Sequence, residues 1–366
     1  MRLILLGAGH IGQTIARLFA RSGDYEVTVV DRSDEALALL AGERVSTRRI
    51  ETADAAALRG ALAGQQIVVN ALPYHLATLA ATQAREAGCH YFDLTEDVAA
   101  TRAIQQLAEG ARTVFMPQCG LAPGFIGIVA HHLAQGFDTL QDVKMRVGAL
   151  PAFPTNALKY NLTWSVDGLI NEYCHPCEAI RGGKNIEVLP LEGLEHFSLD
   201  GTEYEAFNTS GGLGTLCETL AGRVRNLDYK SVRYPGHRAL MKMLLEELQL
   251  ADDPETLKAI MRRAIPSTMQ DVVLVFVTVS GMKKGQLVQE VFARKIFAER
   301  ASEGAEAQSA IQITTAAGIC AAVDLFREGK LPQHGFVRQE QVALPDFLAN
   351  RFGRAYQQYR QVESIG

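Results

Sequence analysis

Met1-Arg-Leu-Ile-Leu-Leu-Gly7-Ala-Gly9-His10-Ile11-Gly12 opens the chain, and the run Gln13 to Arg21 behind it reads as a helix. Leu3 to Leu6 is an apolar run of strand type, and three glycines with GxGxxG spacing follow it at once. In a strand–turn–helix unit each glycine has a task. Gly7 permits the tight turn, Gly9 lets the backbone approach a pyrophosphate, and Gly12 lets helix pack on strand. The helix, with His10 and Ile11 in its first turn, then points free N–H groups at the phosphates, where the macrodipole favours negative charge. A second apolar strand, Glu26 to Val30, ends at Asp31, where a carboxylate accepts from the adenosine ribose hydroxyls. Asp31 favours NAD because its charge opposes a 2′-phosphate; neighbouring Arg32 softens that opposition and keeps NADP as the alternative. Strand, glycines, helix, strand and acid in this order predict a dinucleotide-binding α/β unit. A glycine-rich turn without a ligand is the competing reading.

Outward from this unit, short apolar strands (Val45 to Ile50, Gln66 to Val69, His90 to Asp93, Thr113 to Met116) alternate with helical stretches such as Asp34 to Leu40, Asp54 to Leu62 and Tyr74 to Ala87. That alternation is the mark of a doubly wound parallel sheet. The fourth strand runs into Asn70-Ala71-Leu72-Pro73, and ligands of open α/β sheets sit beyond the carboxyl ends of the strands, so this turn is expected to line the cofactor cleft. Asp93 at the end of the fifth strand is either a helix cap or a site residue. The chain changes character at Pro117-Gln-Cys119-Gly120-Leu-Ala122-Pro123-Gly124, a turn between domains. From Asp142 to Val147 the apolar period becomes two, so the middle of the chain reads as an α/β domain with a mixed or antiparallel sheet. Asp271 to Ser280 and Gln286 to Phe297, joined through Gly281 to Gly285, form a long hairpin. Its first strand is apolar on both faces, which implies a sheet covered on both sides or buried in a subunit interface. The end is helical, Gln312 to Glu328 and Leu344 to Gln361. The expected division is a Rossmann domain over 1–118, a second domain over 119–308 and C-terminal helices over 309–366, whose return to the first domain stays open.

The 366 residues are 48% apolar and 21% charged, with a net charge of −5. No basic block of five or more occurs, which argues against a nucleic-acid partner and against a polybasic membrane patch. The opening strand is too short for a signal peptide or a membrane span, so a cytoplasmic chain is expected. Six scattered cysteines do not form a secreted disulfide framework. Cys174-His175-Pro176-Cys177 has no second CxxC or spaced histidine pair, so two packed thiols and no metal are expected. His131 and His132 read as structural.

Tyr229-Lys230-Ser-Val-Arg233-Tyr234-Pro235-Gly236-His237 concentrates cationic and protonatable groups ahead of a helix start. Arg233 presents a planar fork that holds a carboxylate by two parallel hydrogen bonds, which suits an amino-acid substrate. His237 is a candidate proton carrier. A solvated strand and turn compete with this reading. Thr209-Ser210-Gly211-Gly212 is a loop near the substrate or a plain turn.

Over nearly its whole length the chain resembles the saccharopine dehydrogenase family of the glutamate-forming type, and within it the L-lysine 6-dehydrogenase branch. The stretches that carry the resemblance are Gly7 to Gly12, Asn70 to Pro73, Tyr91 to Thr95, Gly120 to Gly124, Trp164 to Tyr173, Thr209 to Leu216 and Tyr229 to His237. Saccharopine reductases typically have Asp in a Gly-Leu-Asp-Pro-Gly turn, where this sequence has Ala122. The resemblance implies that 119–308 binds substrate and mediates dimerisation, giving a homodimer or larger homo-oligomer. It also implies oxidation at an amine-bearing carbon. Built on these parts, L-lysine binds through Arg233, with Tyr234, Thr209 and Gly120 also at the substrate. Its ε-amine is oxidised with NAD to 2-aminoadipate 6-semialdehyde, which cyclises to piperideine-6-carboxylate, and ammonia leaves. An ammonium cannot give up hydride, so its proton, with a pKa of about 10.4 in water, goes first. Asp93 and His237 are the candidate bases, with Cys119 and Lys230 behind them. Two alternatives stand: an enzyme of the saccharopine or carboxynorspermidine dehydrogenase type acting on a secondary amine, and a non-catalytic NAD-binding regulatory module.

Overall fold

The computed structural model describes residues 1–300 and 307–357. Six strands form the first sheet: β1 (Arg2–Leu6), β2 (Glu26–Asp31), β3 (Val45–Arg49), β4 (Ile67–Asn70), β5 (His90–Asp93) and β6 (Val114–Met116). All pair in parallel, in the order β6-β5-β4-β1-β2-β3. The order reverses at β1, and the crevice at that switch point opens beside the glycine-rich turn. Leu3 to Leu6 and Ile67 to Val69 are buried, as strands covered by helices on both faces must be. Local capping sets the helix ends: Ser33, Asp54 and Asp97 accept from first-turn amides, and Gly23 and Gly88 take the left-handed C-terminal position.

The second sheet contains β7 (Thr139–Pro151), β8 (Cys177–Arg181), β9 (Lys184–Val188), β10 (Glu195–Leu199), β11 (Thr202–Asn208), β12 (Val224–Arg233), β13 (Asp271–Lys283) and β14 (Gln286–Phe297). Its path is β10-β11-β12-β7-β13-β14, with the β8–β9 hairpin beside β12. β12 and β7 run parallel and the other pairs antiparallel, so the sheet is mixed. β13 runs three residues beyond the expected end at Ser280. Lys284 and Gly285 alone make the turn, both at positive φ (52° and 75°), the two-residue geometry that suits strand twist. The sheet rolls up: Phe197 of β10 stacks on Phe276 of β13 at 5.5 Å, and Lys295 of β14 donates to the Leu199 carbonyl at 3.1 Å. Val232, Val272 and Leu274 lie inside the roll, whereas Val273, Val275 and Val277 join the main core outside it. The chain itself thus covers both faces of β13.

The C-terminal segment returns to the first sheet. β15 (Gly335–Phe336) pairs in parallel with β6 as a seventh strand. Helix Ala310–Arg327 begins with a Ser309/Gln312 capping box and packs between helix His10–Ser22 and β13. It is long and apolar enough to cross a membrane by composition, but it is buried almost all round inside the protein, which accounts for its apolar character. Its Asp324 carboxylate accepts from Tyr25 (2.8 Å), Asn350 (2.9 Å) and Arg351 (2.8 Å), tying both ends of the chain together. The stretch expected as one helix, Leu344 to Gln361, is a helix Leu344–Ala349 and then a 3-10 turn Gly353–Gln357. Asn350 breaks it, spending its amide on Asp324 and its oxygen on the Phe352 N–H, and Gly353 abuts the Phe347 carbonyl. Residues 358–361 of that stretch lie outside the described residues.

Candidate active site

The glycine-rich turn has the shape of a phosphate cradle. Gly7 sits at φ +102°, where a Cβ would come 2.9 Å from the Ala71 carbonyl oxygen, so the β1 turn lies directly on the β4 turn. Asn70 stiffens that second turn, accepting from Leu72 N at 3.1 Å and donating to the Tyr91 hydroxyl at 2.9 Å. A Cβ on Gly12 would collide with the Gly7 carbonyl. Gly9 has no atom within 4 Å of its Cβ direction and caps helix His10–Ser22 without a side-chain bond. First-turn amides at His10, Ile11 and Gly12 are therefore offered to a ligand. At the end of β2 the Asp31 carboxylate accepts from Ala8 N at 2.7 Å and Ser33 N at 2.8 Å, with Arg32 exposed beside it. These residues fit a dinucleotide, with space over Gly9 that any side chain would fill.

Beyond β5 and β6 the buried polar groups are committed to the fold. Asp93 is no helix cap; Asp97 has that role, accepting from Ala100 N at 2.7 Å. Asp93 accepts from Thr95 N (3.0 Å), Gln118 N (2.9 Å) and the Tyr91 hydroxyl (2.9 Å). Burial raises its pKa to about 6, against the pull of those donors. The Cys119 thiol donates to the Met116 carbonyl at 3.1 Å and accepts from Gln339 at 3.1 Å, and burial keeps it protonated. Gly120 closes the interdomain turn, its carbonyl accepting from Phe125 N at 3.0 Å.

Alternation along β12 separates residues that are neighbours in sequence. Successive strand side chains point to opposite faces, so Tyr229, Ser231 and Arg233 share one face and Lys230 and Val232 the other. Lys230 turns into the roll and pairs with Glu195 at 2.9 Å, which also pairs with buried Arg146. Tyr234 follows to that side and donates to the Pro151 carbonyl at 2.9 Å. Neither belongs to the Arg233 cluster, a correction to the reading of Tyr229 to His237 as one patch. Thr209 does stand on the Arg233 side, bonded to Ser231 at 2.8 Å.

Arg233 is buried, with Nε donating to Tyr173 at 2.9 Å and Nη1 to the Val232 carbonyl at 2.8 Å. Its guanidinium lies 5.2 Å from the Tyr160 ring centre and 5.8 Å from that of Tyr173. Among the described residues Nη2 has no hydrogen-bond partner and no carboxylate stands at salt-bridge distance. Burial works against the charge, but Tyr173, Tyr160 and Glu172 together hold the pKa above its ordinary value. His237 is also buried. Its Nδ1 lies 2.9 Å from the Leu158 carbonyl, which can only accept, so Nδ1 carries the proton and Nε2 accepts from Tyr173 at 3.2 Å. Burial first, and then the Arg233 charge, push its pKa down to about 3. His237 is a neutral brace for Tyr173, and through it for Arg233; its nitrogens are not open for proton transfer.

The fold adds groups that sequence reading passed over. Helix Val166–Cys174 brings buried Glu172 and Tyr173 to Arg233. Burial raises the Glu172 pKa to about 8; Arg233 lowers it and Glu96 raises it. Glu96, in the loop after β5, is pushed up to about 7 by burial, with a bond from Asn171 opposing. Gly211, at φ +86°, sits where a Cβ would strike the Glu96 carbonyl, so here the loop after β11 rests on the loop after β5. Nearby, Tyr160 Oη, Asn161 Oδ1 and Thr163 Oγ1 are buried without a hydrogen-bond partner among the described residues. The sequence does hold a signal: Glu172 interrupts the apolar run of a helix that buries Val166, Leu169, Ile170 and Tyr173. Among the described residues no group of three or more His, Cys, Asp or Glu side chains could hold a metal ion.

Known proteins share this fold. Residues 3–116 match the saccharopine dehydrogenase NADP binding domain, and residues 120–354 the saccharopine dehydrogenase C-terminal domain. The apo saccharopine dehydrogenase (L-Glu forming) of Saccharomyces cerevisiae superposes with a TM-score of 0.75 at 17% identity, covering 97% of this chain and 96% of that one. The mitochondrial alpha-aminoadipic semialdehyde synthase of Mus musculus is 22% identical over 199 residues, 51% of this chain but only 21% of that protein's length.

Proposed function

Because the chain belongs to the saccharopine dehydrogenase family, we propose that it is an NAD-dependent dehydrogenase that oxidises the ε-amine of free L-lysine to 2-aminoadipate 6-semialdehyde. The matched domains support a nicotinamide dinucleotide-binding oxidoreductase, and action on an amine C–N bond is the reading that follows from the family. The names of the relatives, a saccharopine dehydrogenase and an aminoadipic semialdehyde synthase, support a lysine-related amine as substrate. One observation carries the reading: Arg233 is a buried cation, caged by two tyrosines, and among the described residues its Nη2 edge has no hydrogen-bond partner and no carboxylate stands at salt-bridge distance. Leaving a buried charge unpaired is costly, and a substrate α-carboxylate on Nη2 relieves that cost. Ala122 stands in the turn where saccharopine reductases typically carry Asp, which favours lysine over saccharopine.

In this mechanism Tyr173, braced by His237, aims the guanidinium, and the buried surroundings exclude water from the bound carboxylate. The glycine cradle and Asp31 hold the dinucleotide, which when bound accepts hydride from the ε-carbon. The test is NADH formation by purified protein at alkaline pH with lysine, saccharopine and carboxynorspermidine. Lysine is expected to turn over and release ammonia; activity confined to a secondary amine would move the substrate, and NAD binding without any turnover would favour a regulatory module.

Cofactor choice is testable at Asp31. Asp31→Ser removes the acceptor for the ribose hydroxyls and the charge that opposes a 2′-phosphate. The loss of a charge-assisted hydrogen bond is about 1.5–3 kcal/mol, so NAD should bind roughly 10- to 150-fold more weakly and NADP no more weakly than before. Calorimetric titration with both coenzymes reads this. Equal losses would mean that Asp31 acts only by holding Ala8 N and Ser33 N.

A further inference from the structure

If the substrate is lysine, one step still lacks a residue: removal of the ammonium proton. The side chains suggested by sequence are committed elsewhere, with Asp93 held by three donors, His237 bonded through both nitrogens, Cys119 a buried thiol and Lys230 paired inside the rolled sheet. Glu172 is different. It is 7% exposed, and its carboxylate makes no hydrogen bond or ion pair with any described residue, although Ser210 N fixes its backbone carbonyl at 3.0 Å. A carboxylate taken from water and given no partner is expensive, so such a group inside a fold marks a place where something else supplies the partner.

We propose that Glu172 receives the ε-ammonium of the substrate and takes its proton, with Glu96, from the loop after β5, as the second carboxylate of an ammonium-binding pair. The inference rests on the reading of the chain as an amine dehydrogenase and assigns its base. The charges of the cluster are the inverse of lysine. One guanidinium (Arg233) and two carboxylates (Glu96, Glu172) stand where free lysine brings one carboxylate and two ammonium groups. Saccharopine, with three carboxylates, would place at least two of them beside like charge.

The step balances. One proton passes from the ε-ammonium to a Glu172 oxygen, leaving a neutral carboxylic acid and an amine with its lone pair. That pair forms the C=N bond as the ε-carbon loses hydride to the nicotinamide dinucleotide; water then adds to the iminium carbon, the C–N bond breaks, and the aldehyde and an ammonium ion, which carries the iminium's positive charge, are left, with ammonia released from it to solvent. The groups that bear on Glu172 are Glu96 from the β5 loop, Arg233 and Tyr229 from β12, Tyr160 from the loop before its helix, Tyr173 beside it and Cys177 on β8. Arg233 is the cation among them and lowers the Glu172 pKa, but burial dominates and holds it at about 8. A base that titrates near the working pH is matched to this transfer.

The experiment compares wild type, Glu172→Gln and Glu172→Asp by steady-state NADH formation from lysine between neutral and strongly alkaline pH. NADH binding, followed by fluorescence, shows that each variant has folded. Wild-type kcat should rise through the Glu172 titration and level off. Glu172→Gln should lose about 10²- to 10⁴-fold in kcat near pH 8, the usual worth of a positioned base. The deficit should shrink steadily as the pH approaches about 10.4, where lysine loses its proton unaided. Glu172→Asp should recover part of the rate with a shifted profile. A Glu172→Gln enzyme that binds NADH and keeps the wild-type rate and profile overturns the assignment of Glu172 alone. A wild-type protein that makes no NADH from lysine overturns the substrate reading and the inference with it.

Discussion

Arg233→Ala is expected to lower kcat/KM for lysine by about 10²- to 10³-fold while sparing an α,ω-diamine of the same length. Truncating one member of a buried, hydrogen-bonded charge pair costs about 2–5 kcal/mol, more than an exposed pair, because the partner is left stranded out of water. Arg233 meets that condition, being 3% exposed and aimed by Tyr173. A diamine has no α-carboxylate to strand. The substitution has a second consequence: the Arg233 charge lowers the Glu172 pKa, so its removal lets that pKa rise and moves the rising limb of the profile to higher pH. The two substrates are therefore compared above the Glu172 titration, where proton removal is equally easy in both enzymes. Arg233→Lys keeps the charge but loses the planar fork, and should fall between wild type and Arg233→Ala. Equal losses for lysine and the diamine would make Arg233 a structural cation. Unchanged kinetics with lysine would remove it from the site.

The glycine-rich turn and its place beside β4 were legible in sequence because their determinants are local. Gly7, Gly9, Gly12 and Asp31 act within one strand–helix–strand unit, and their spacing encodes their geometry. The Arg233 cluster was legible in part. Arg233 stood out as a fork on a strand next to Pro-Gly, but the same strand period that placed it turns Lys230 and Tyr234 into the roll. Burial decided the remaining candidates. Asp93 and His237 are chemically able to move protons, and only the packed structure shows their lone pairs and protons already assigned. Glu172 meets Arg233 because a helix from one part of the chain lies against a strand from another, and no local pattern announces that encounter. The two-residue strand β15 carries no periodicity at all, so sequence patterning left the return of the C-terminal segment to the first sheet open.

Gly12→Ala and Gly9→Ala are expected to weaken dinucleotide binding for different reasons, and the pair separates the cradle from its ligand. At Gly12 an added Cβ meets the Gly7 carbonyl, backbone against side chain, in a turn that also rests on Ala71. Neither group has room to retreat, so helix His10–Ser22 must move off β1. Overpacking of that kind costs about 1–3 kcal/mol, occasionally more, and thermal unfolding should show it without any ligand. Gly9 has φ −66° and open space around its Cβ direction, so alanine fits the free protein. Its stability should stay within about 0.5 kcal/mol of wild type, as for substitutions that disturb no contact. Yet this open space is where the pyrophosphate must come closest to the backbone, so Gly9→Ala should lose NAD affinity by at least about tenfold, or about 1.4 kcal/mol. A stable Gly9→Ala protein that binds NAD as wild type does would show that the space over Gly9 is not the phosphate site. Loss of binding without loss of stability at Gly9, set against loss of both at Gly12, is the pattern that a helix N-terminus holding a dinucleotide requires.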